Sequence, residues 1–243
     1  MKDSKTLRII VKTVLVVLFL LGLAFSCIGW IKNHARQSVS KEAIKTVESV
    51  IEDGGDEKVS FEVPISDFLA VDGELGEDDT TLDELMREMR ELSSNHETLT
   101  LIGILEIPCI DVKEPIWDSC SSTALRFGVG RFPQTAQIGE DANCTIFGHR
   151  MQNKTIFWQL QKLSKKIGEE VIVTTTDGVK HRYRIVDTVY VKDSAVDPYL
   201  TSDLFSSEHL CIATCGSGKD PYNKKIQRPR HTEFIVICVP LPD

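Results

Sequence analysis

His209-Leu210-Cys211-Ile212-Ala213-Thr214-Cys215 is a β-patterned run that ends on a cysteine, and it sets the frame for the rest of the chain. Upstream, Ile146-Phe147-Gly148-His149-Arg150 brings a similar apolar run to a histidine. A strand-end thiol together with a strand-end imidazole suggests a thiol transferase or thiol protease.

Around these two runs the pattern is that of strands. Leu99, Leu101 and Gly103 alternate with Thr100, Ile102 and Ile104 in a largely apolar run, and Pro108 and Pro115 punctuate the segment beyond it. Further strands are predicted over 144–147, 171–175, 181–191, 210–214 and 234–239, with an Asp177-Gly178 turn between the second and third. Only 155–165, with Phe157, Leu160 and Leu163 at helical spacing, reads as a helix in this region. Residues 98–243 therefore read as a mostly β domain, large enough for one closed barrel and its core.

The segment ahead of that domain is set apart by charge. The chain carries 28 Lys/Arg against 36 Asp/Glu, a net of -8. Residues 1–32 hold five basic side chains against one acid, residues 33–97 hold six against 18, and residues 98–243 hold 17 of each. A neutral domain beside an acidic segment lacks the basic patch that nucleic acid needs, so no nucleic-acid partner is expected. Residues 13–31 are apolar or small throughout and would span roughly 28 Å as a helix, close to a bilayer core. Lys2, Lys5, Arg8 and Lys12 precede them. The positive-inside rule then predicts a single-pass transmembrane anchor over 1–32, with a cytoplasmic N-terminus and an extracellular catalytic domain. A cleaved signal peptide fits less well, because the apolar core is long for one and Ala24-Phe25-Ser26-Cys27 is a poor cleavage site.

Residues 33–97 read as an acidic, partly helical stalk. Val39, Ala43, Ile44, Val47 and Ile51 form one apolar stripe just outside the expected membrane. Leu82, Leu85, Met86, Met89 and Leu92 form another, behind a Thr81/Glu84 pair with capping-box spacing. Residues 53–79 between them are rich in Gly, Asp and Glu and read as a mobile linker. A solvated spacer is the plainer interpretation of the stalk, and a lid over the cleft the alternative.

Seven cysteines include no CxxC pair, their number is odd, and Cys27 lies in the apolar segment, so no disulfide framework is expected. Cys109, Cys120, Cys144, Cys211 and Cys238 sit mostly in apolar runs, where free cysteine behaves as a small hydrophobe. Cys211 and Cys215 share a strand face, which leaves oxidation between them open. Cys144, His149, Cys211 and Cys215 lack the tight CxxC knuckles of structural zinc, and Asp193, Asp197, Asp203 and Glu208 are too loosely spaced to decide for or against calcium. Neither a metal nor a cofactor is expected.

Four ordered blocks carry a family resemblance. They are Leu105-Glu106-Ile107-Pro108-Cys109-Ile110; Phe127-Gly128-Val129-Gly130 with Thr135 beyond it; Ile146-Phe147-Gly148-His149-Arg150 with Phe157 and Leu160; and Ala213-Thr214-Cys215. In order and spacing, across nearly all of 98–243, they resemble the sortases, membrane-anchored cysteine transpeptidases of Gram-positive cell surfaces built on an eight-stranded β-barrel. The resemblance implies that Cys215 and His149 are the catalytic pair. It also implies Thr214 at the substrate and, as partners, surface proteins bearing a C-terminal sorting motif of the Leu-Pro-x-Thr-Gly type.

The family's third element, an arginine directly before the apolar run of the last strand, is missing: Glu233 stands there. Arg230 is the favoured substitute, with Arg228 as the second candidate and a substrate contact; Arg182 and Arg184 on the hairpin read as structural. The residue types fit the chemistry. With ordinary values of about 8.5 for Cys and about 6.5 for His, only about 3% of thiols and about a quarter of imidazoles are charged at pH 7, so the site must favour the active pair. The imidazole gives a proton to the leaving amine and takes one from the incoming amine, while a guanidinium holds the developing oxyanion.

The acceptor amine is expected to be cell-wall precursor in preference to a pilin lysine. Class B sortases carry a long helix before the cysteine strand, for which 191–209 leaves little room. Class C polymerases often add a C-terminal membrane helix and an Asp-Pro-aromatic lid ahead of the barrel. The chain ends at Pro242-Asp243, and Asp197-Pro198-Tyr199 lies inside the domain, where a turn is the plainer reading. Two alternatives of a different kind remain: a catalytically silent, sortase-shaped binding protein, suggested by Glu233, and a protease that only hydrolyses.

Overall fold

A computed structural model describes residues 2–55, 58–65, 96–150, 155–201, 203–229 and 231–242, with backbone alone at 2–10, 21, 24–26 and 193. Helix α1 runs without a break over Lys2–Glu52. Strands β1 (Val59–Pro64), β2 (His96–Ile107) and β3 (Val112–Trp117) come next, then the short helix α2 (Ser122–Arg126). After it stand β4 (Val129–Arg131), β5 (Asn143–Phe147), β6 (Glu170–Thr175) and β7 (Lys180–Lys192). The chain finishes with β8 (His209–Cys215), the two-residue strands β9 (Gly218–Lys219) and β10 (Gln227–Arg228), and β11 (Thr232–Pro240).

The strands are ordered β1-β2-β3-β4-β5-β8-β11-β7-β6, and β6 pairs back onto β2. That last pairing closes an eight-stranded barrel, with β1 appended. β2 is long enough to serve two neighbours on one edge: its first half takes β1 over 96–101 and its second half takes β6 over 103–106. A closed sheet leaves few unpaired edges, and its interior positions must be apolar. Leu105, Ile107, Ile146, Phe157, Ile212 and Phe234 fill that interior and are fully buried.

A second apolar layer lies outside the barrel. The α1 stripe from Val39 to Ile51 packs on β1, β2 and β3, with Ala43 and Val47 fully buried against Leu101, Trp117 and Phe127. The physical reason is visible in β2, which is apolar on both faces and so needs cover on both. Val59–Pro64, inside the stretch read as a mobile linker, is a strand in register with β2. The helix predicted over 155–165 contracts to 3-10 turns at Leu160–Lys165, because Phe157, Leu160 and Leu163 are drawn into the barrel mouth. The second stalk stripe, from Leu82 to Leu92, lies outside the described residues.

The single-pass membrane placement is corrected. Among the described residues no helix is long and apolar enough to cross a membrane.

Candidate active site

β5 and β8 lie side by side and parallel, with Phe147 level with Ala213. Two further bonds carry this register past the strand ends. The Gly148 N–H donates to the Ala213 carbonyl at 3.2 Å, and the Thr214 hydroxyl donates to the Gly148 carbonyl at 2.7 Å. His149 and Cys215, one residue beyond these bonds, come to the same rim of the barrel. Gly148 must be glycine here, since a Cβ would come within 2.6 Å of the Phe157 ring.

Cys215 is exposed. Its Sγ lies 2.9 Å from the Ser217 hydroxyl, and its carbonyl accepts from Gln161 Nε2 at 3.2 Å. The Gly216 N–H donates to the Thr232 carbonyl at 2.6 Å, one position past the last β8–β11 pair. Arg150, next to His149, donates from its guanidinium to the Ser217 carbonyl, so the two loops are clasped across the site. His149 is half-buried, and its carbonyl accepts the Phe157 N–H at 3.1 Å.

The other barrel cysteines are chemically quiet. Burial pushes the Cys120, Cys144 and Cys211 thiols up to about 12, and holds Cys238 well above its ordinary value. All seven cysteines are free. Cys144 belongs to the barrel interior and Cys211 to the outer layer, so the two cannot converge with Cys215 on one metal. Among the described residues no group of three or more His, Cys, Asp or Glu side chains could hold a metal ion.

The arginines are placed unequally. Arg230 lies outside the described residues. Arg228 sits on β10, whose partner β9 begins three residues after Cys215. Its guanidinium stacks 3.4 Å from the centroid of the Tyr190 ring, and its Nη2 lies 2.7 Å from Asp220 Oδ2. Burial works against the charge on Asp220, but the Asn223 and Tyr222 N–H groups and Arg228 outweigh it and hold the carboxyl below its ordinary value. Arg228 Nη1 is buried and has no hydrogen-bond partner among the described residues. Glu233 pairs directly with Cys215 across the β8–β11 ladder. Thr214, expected at the substrate, is 1% exposed, with its hydroxyl committed to Gly148.

Ser217, Gln161 and Glu114 are parts of the site that sequence reasoning misses. A serine two positions past a strand-end cysteine, a glutamine in a 3-10 turn and a glutamate before a proline carry no local pattern. Only their distant partners mark them.

A family model described as Sortase domain matches residues 105–228. Among solved structures, the chain is similar to a Clostridium perfringens Sortase D5 transpeptidase at 26% identity, over 58% of this chain and 79% of that one, with a TM-score of 0.47. It is also similar to sortase C1 from Streptococcus suis, at 22% identity over 59% and 74% with a TM-score of 0.49. Sortase C of Streptococcus pneumoniae shows 24% identity over 59% and 70%, with a TM-score of 0.48. No curated protein matches the chain.

Proposed function

The chain belongs to the sortase family, its Sortase domain spanning 105–228, and from that premise we propose that Cys215 and His149 carry out a cysteine transpeptidation on a surface-protein sorting motif. The observation that carries this reading is the parallel β5–β8 pairing, which brings the exposed thiol and the half-buried imidazole to one rim.

In the first half-reaction the Cys215 thiolate attacks the carbonyl of the fourth residue of a Leu-Pro-x-Thr-Gly-type motif. The carbon–nitrogen bond breaks, a thioester forms, and the leaving amine takes its proton from the His149 imidazolium. In the second, an incoming amine gives a proton to neutral His149, attacks the thioester and releases the thiolate. The acceptor we propose is cell-wall precursor; a pilin lysine is the competing acceptor. Asp197-Pro198-Tyr199 favours the first, since this triplet forms a 3-10 turn whose Tyr199 carbonyl accepts from Thr145 and Asn143, which suits a structural turn better than a lid.

For the oxyanion donor, Arg228 gains support from its unused buried Nη1, and Arg230 remains the rival. Thr214 acts as a tie between the two strands. Ser217 hydrogen-bonds the thiol, and its hydroxyl can donate to the thiolate.

The test is steady-state cleavage of a fluorogenic sorting-motif peptide, with mass detection of the thioester. Arg228→Ala lowers turnover by about 10² to 10³-fold if Arg228 supplies the donor, and Arg228→Lys restores only part of it. Loss confined to Arg230→Ala transfers the role to Arg230. Added amine that fails to raise turnover marks a hydrolase. A wild-type chain that binds the peptide without forming a thioester marks a binding protein.

A further inference from the structure

Glu114, in the first half of β3, reaches into the loop that carries His149. One carboxyl oxygen accepts the Ile156 N–H at 3.2 Å, and the other accepts the Ser40 hydroxyl of α1 at 3.1 Å. Ile156 has φ +50°, a left-handed conformation that a β-branched side chain adopts only under constraint. It bridges Arg150 in an isolated antiparallel pair, and the next residue, Phe157, donates its N–H to the His149 carbonyl. The base of the His149 loop is thus closed by three connected contacts, of which Glu114 supplies the outermost.

The surroundings of Glu114 are specific. It lines a cavity of about 370 Å³ between α1 and the barrel, together with Arg36, Lys41, Arg126 and Ile156. Arg36 and Arg126 are about nine-tenths buried. A carboxyl in such a place must be satisfied on both oxygens, and its two donors come from elements far apart in sequence.

We propose that Glu114 is a positioning residue for His149, holding the strained Ile156 backbone so that the His149 carbonyl stays bound to Phe157, and that Ser40 ties this support to helix α1. The proposal rests on the transpeptidase reading only for its effect on turnover; the positioning itself is independent of it.

Amide hydrogen exchange on the full chain tests the positioning directly. In Glu114→Ala the Ile156 and Phe157 amides should exchange at least about tenfold faster, while interior amides of β8 and β11 stay within about twofold of wild type. Turnover of the sorting-motif peptide should fall about tenfold in kcat with KM unchanged, because the change acts on the proton transfers of His149. Glu114→Gln keeps an acceptor for the Ile156 N–H and should recover most of both properties, and Ser40→Ala should fall between. Unchanged exchange at Phe157 in Glu114→Ala overturns the proposal whatever the activity. Faster exchange spread evenly over the barrel also overturns it, since that is general destabilisation. If Glu114→Ala does not fold, Ser40→Ala and Glu114→Gln decide: exchange at Ile156 and Phe157 equal to wild type in Ser40→Ala, or as fast in Glu114→Gln as in unstructured chain, defeats it. Selective loss of protection in Glu114→Ala, with a wild-type chain that never cleaves the peptide, retires the transpeptidase reading and leaves the positioning intact.

Discussion

Cys211 and Cys215 lie four residues apart on the same face of the same strand, yet they are chemically opposite. Cys211 is packed with Ala213, Ile235 and Ile237 beneath Tyr199, Leu204 and Phe205, and burial pushes its thiol up to about 12. Cys215 sits where that cover ends, with Ser217 as its neighbour. The strand makes the two positions equivalent, and the loops around them decide which one can react. Reactivity here belongs to the rim of the barrel rather than to the residue type.

The largest effect tests this contrast head on. Cys215→Ala should abolish peptide cleavage while leaving thermal unfolding nearly unchanged. Cys211→Ala should keep full turnover and lose about 1–2 kcal/mol of stability, the cost of a small buried cavity. Iodoacetamide treatment and peptide mass mapping offer a second view, with Cys215 modified and Cys211 protected in the folded chain. Rapid labelling of Cys211 would break the comparison.

Thr214, between the two, faces the other way and sharpens the point. Thr214→Val keeps the shape but strands the Gly148 carbonyl, at a cost of about 1–3 kcal/mol. Because that carbonyl precedes His149, turnover should drop about tenfold with the thiol itself untouched. Turnover equal to wild type would mean that the β5–β8 tie does not hold the histidine.

A last test asks whether burial acts on a carboxyl as it acts on Cys211, with an effect on stability alone. It pushes Glu114 up to about 7, against the opposing pull of the Ser40 and Ile156 donors. Arg36, Lys41, Lys113, Arg126 and Asp111 line the same cavity. The folded state then holds a proton that the unfolded state releases above the ordinary value of 4.5, so stability falls as pH rises from about 4.5 to about 7 and is level beyond. The difference is on the order of 3 kcal/mol. Urea midpoints at pH 5 and pH 8 should show this slope in the wild type and its loss in Glu114→Gln; an identical slope in both assigns the titration elsewhere.

How much of this could be read from the sequence depended on how local each signal was. The runs around Cys215 and His149 could be read because strand-end residues and the Gly148 turn are fixed within a few positions. The barrel strands were legible from alternation for the same reason. The stripe from Val39 to Ile51 was legible but its cover was not, because an apolar stripe looks the same whether a sheet or a partner covers it; the two-sided apolar pattern of β2 was the signal that named the cover. Residues 155–165 have helical spacing, but their three apolar side chains are wanted at the barrel mouth, and tertiary packing overrode the period. Glu114 and Ser217 act through partners brought near only by the fold. The missing arginine before the apolar run of β11 was visible as Glu233, a position that pairs with Cys215.

The parallel pairing of β5 and β8 also bears on how the molecule comes into being. Between these strands the chain travels through β6 and β7, which lie on the far side of the barrel. No hairpin or local turn can bring His149 to Cys215, and the entropy of closing that long loop must be met before the pairing repays it. The working rim is therefore among the last features to assemble. In a refolding experiment, recovery of chemical competence should trail the return of β-structure, giving a built-in delay between a chain that is compact and one that can act.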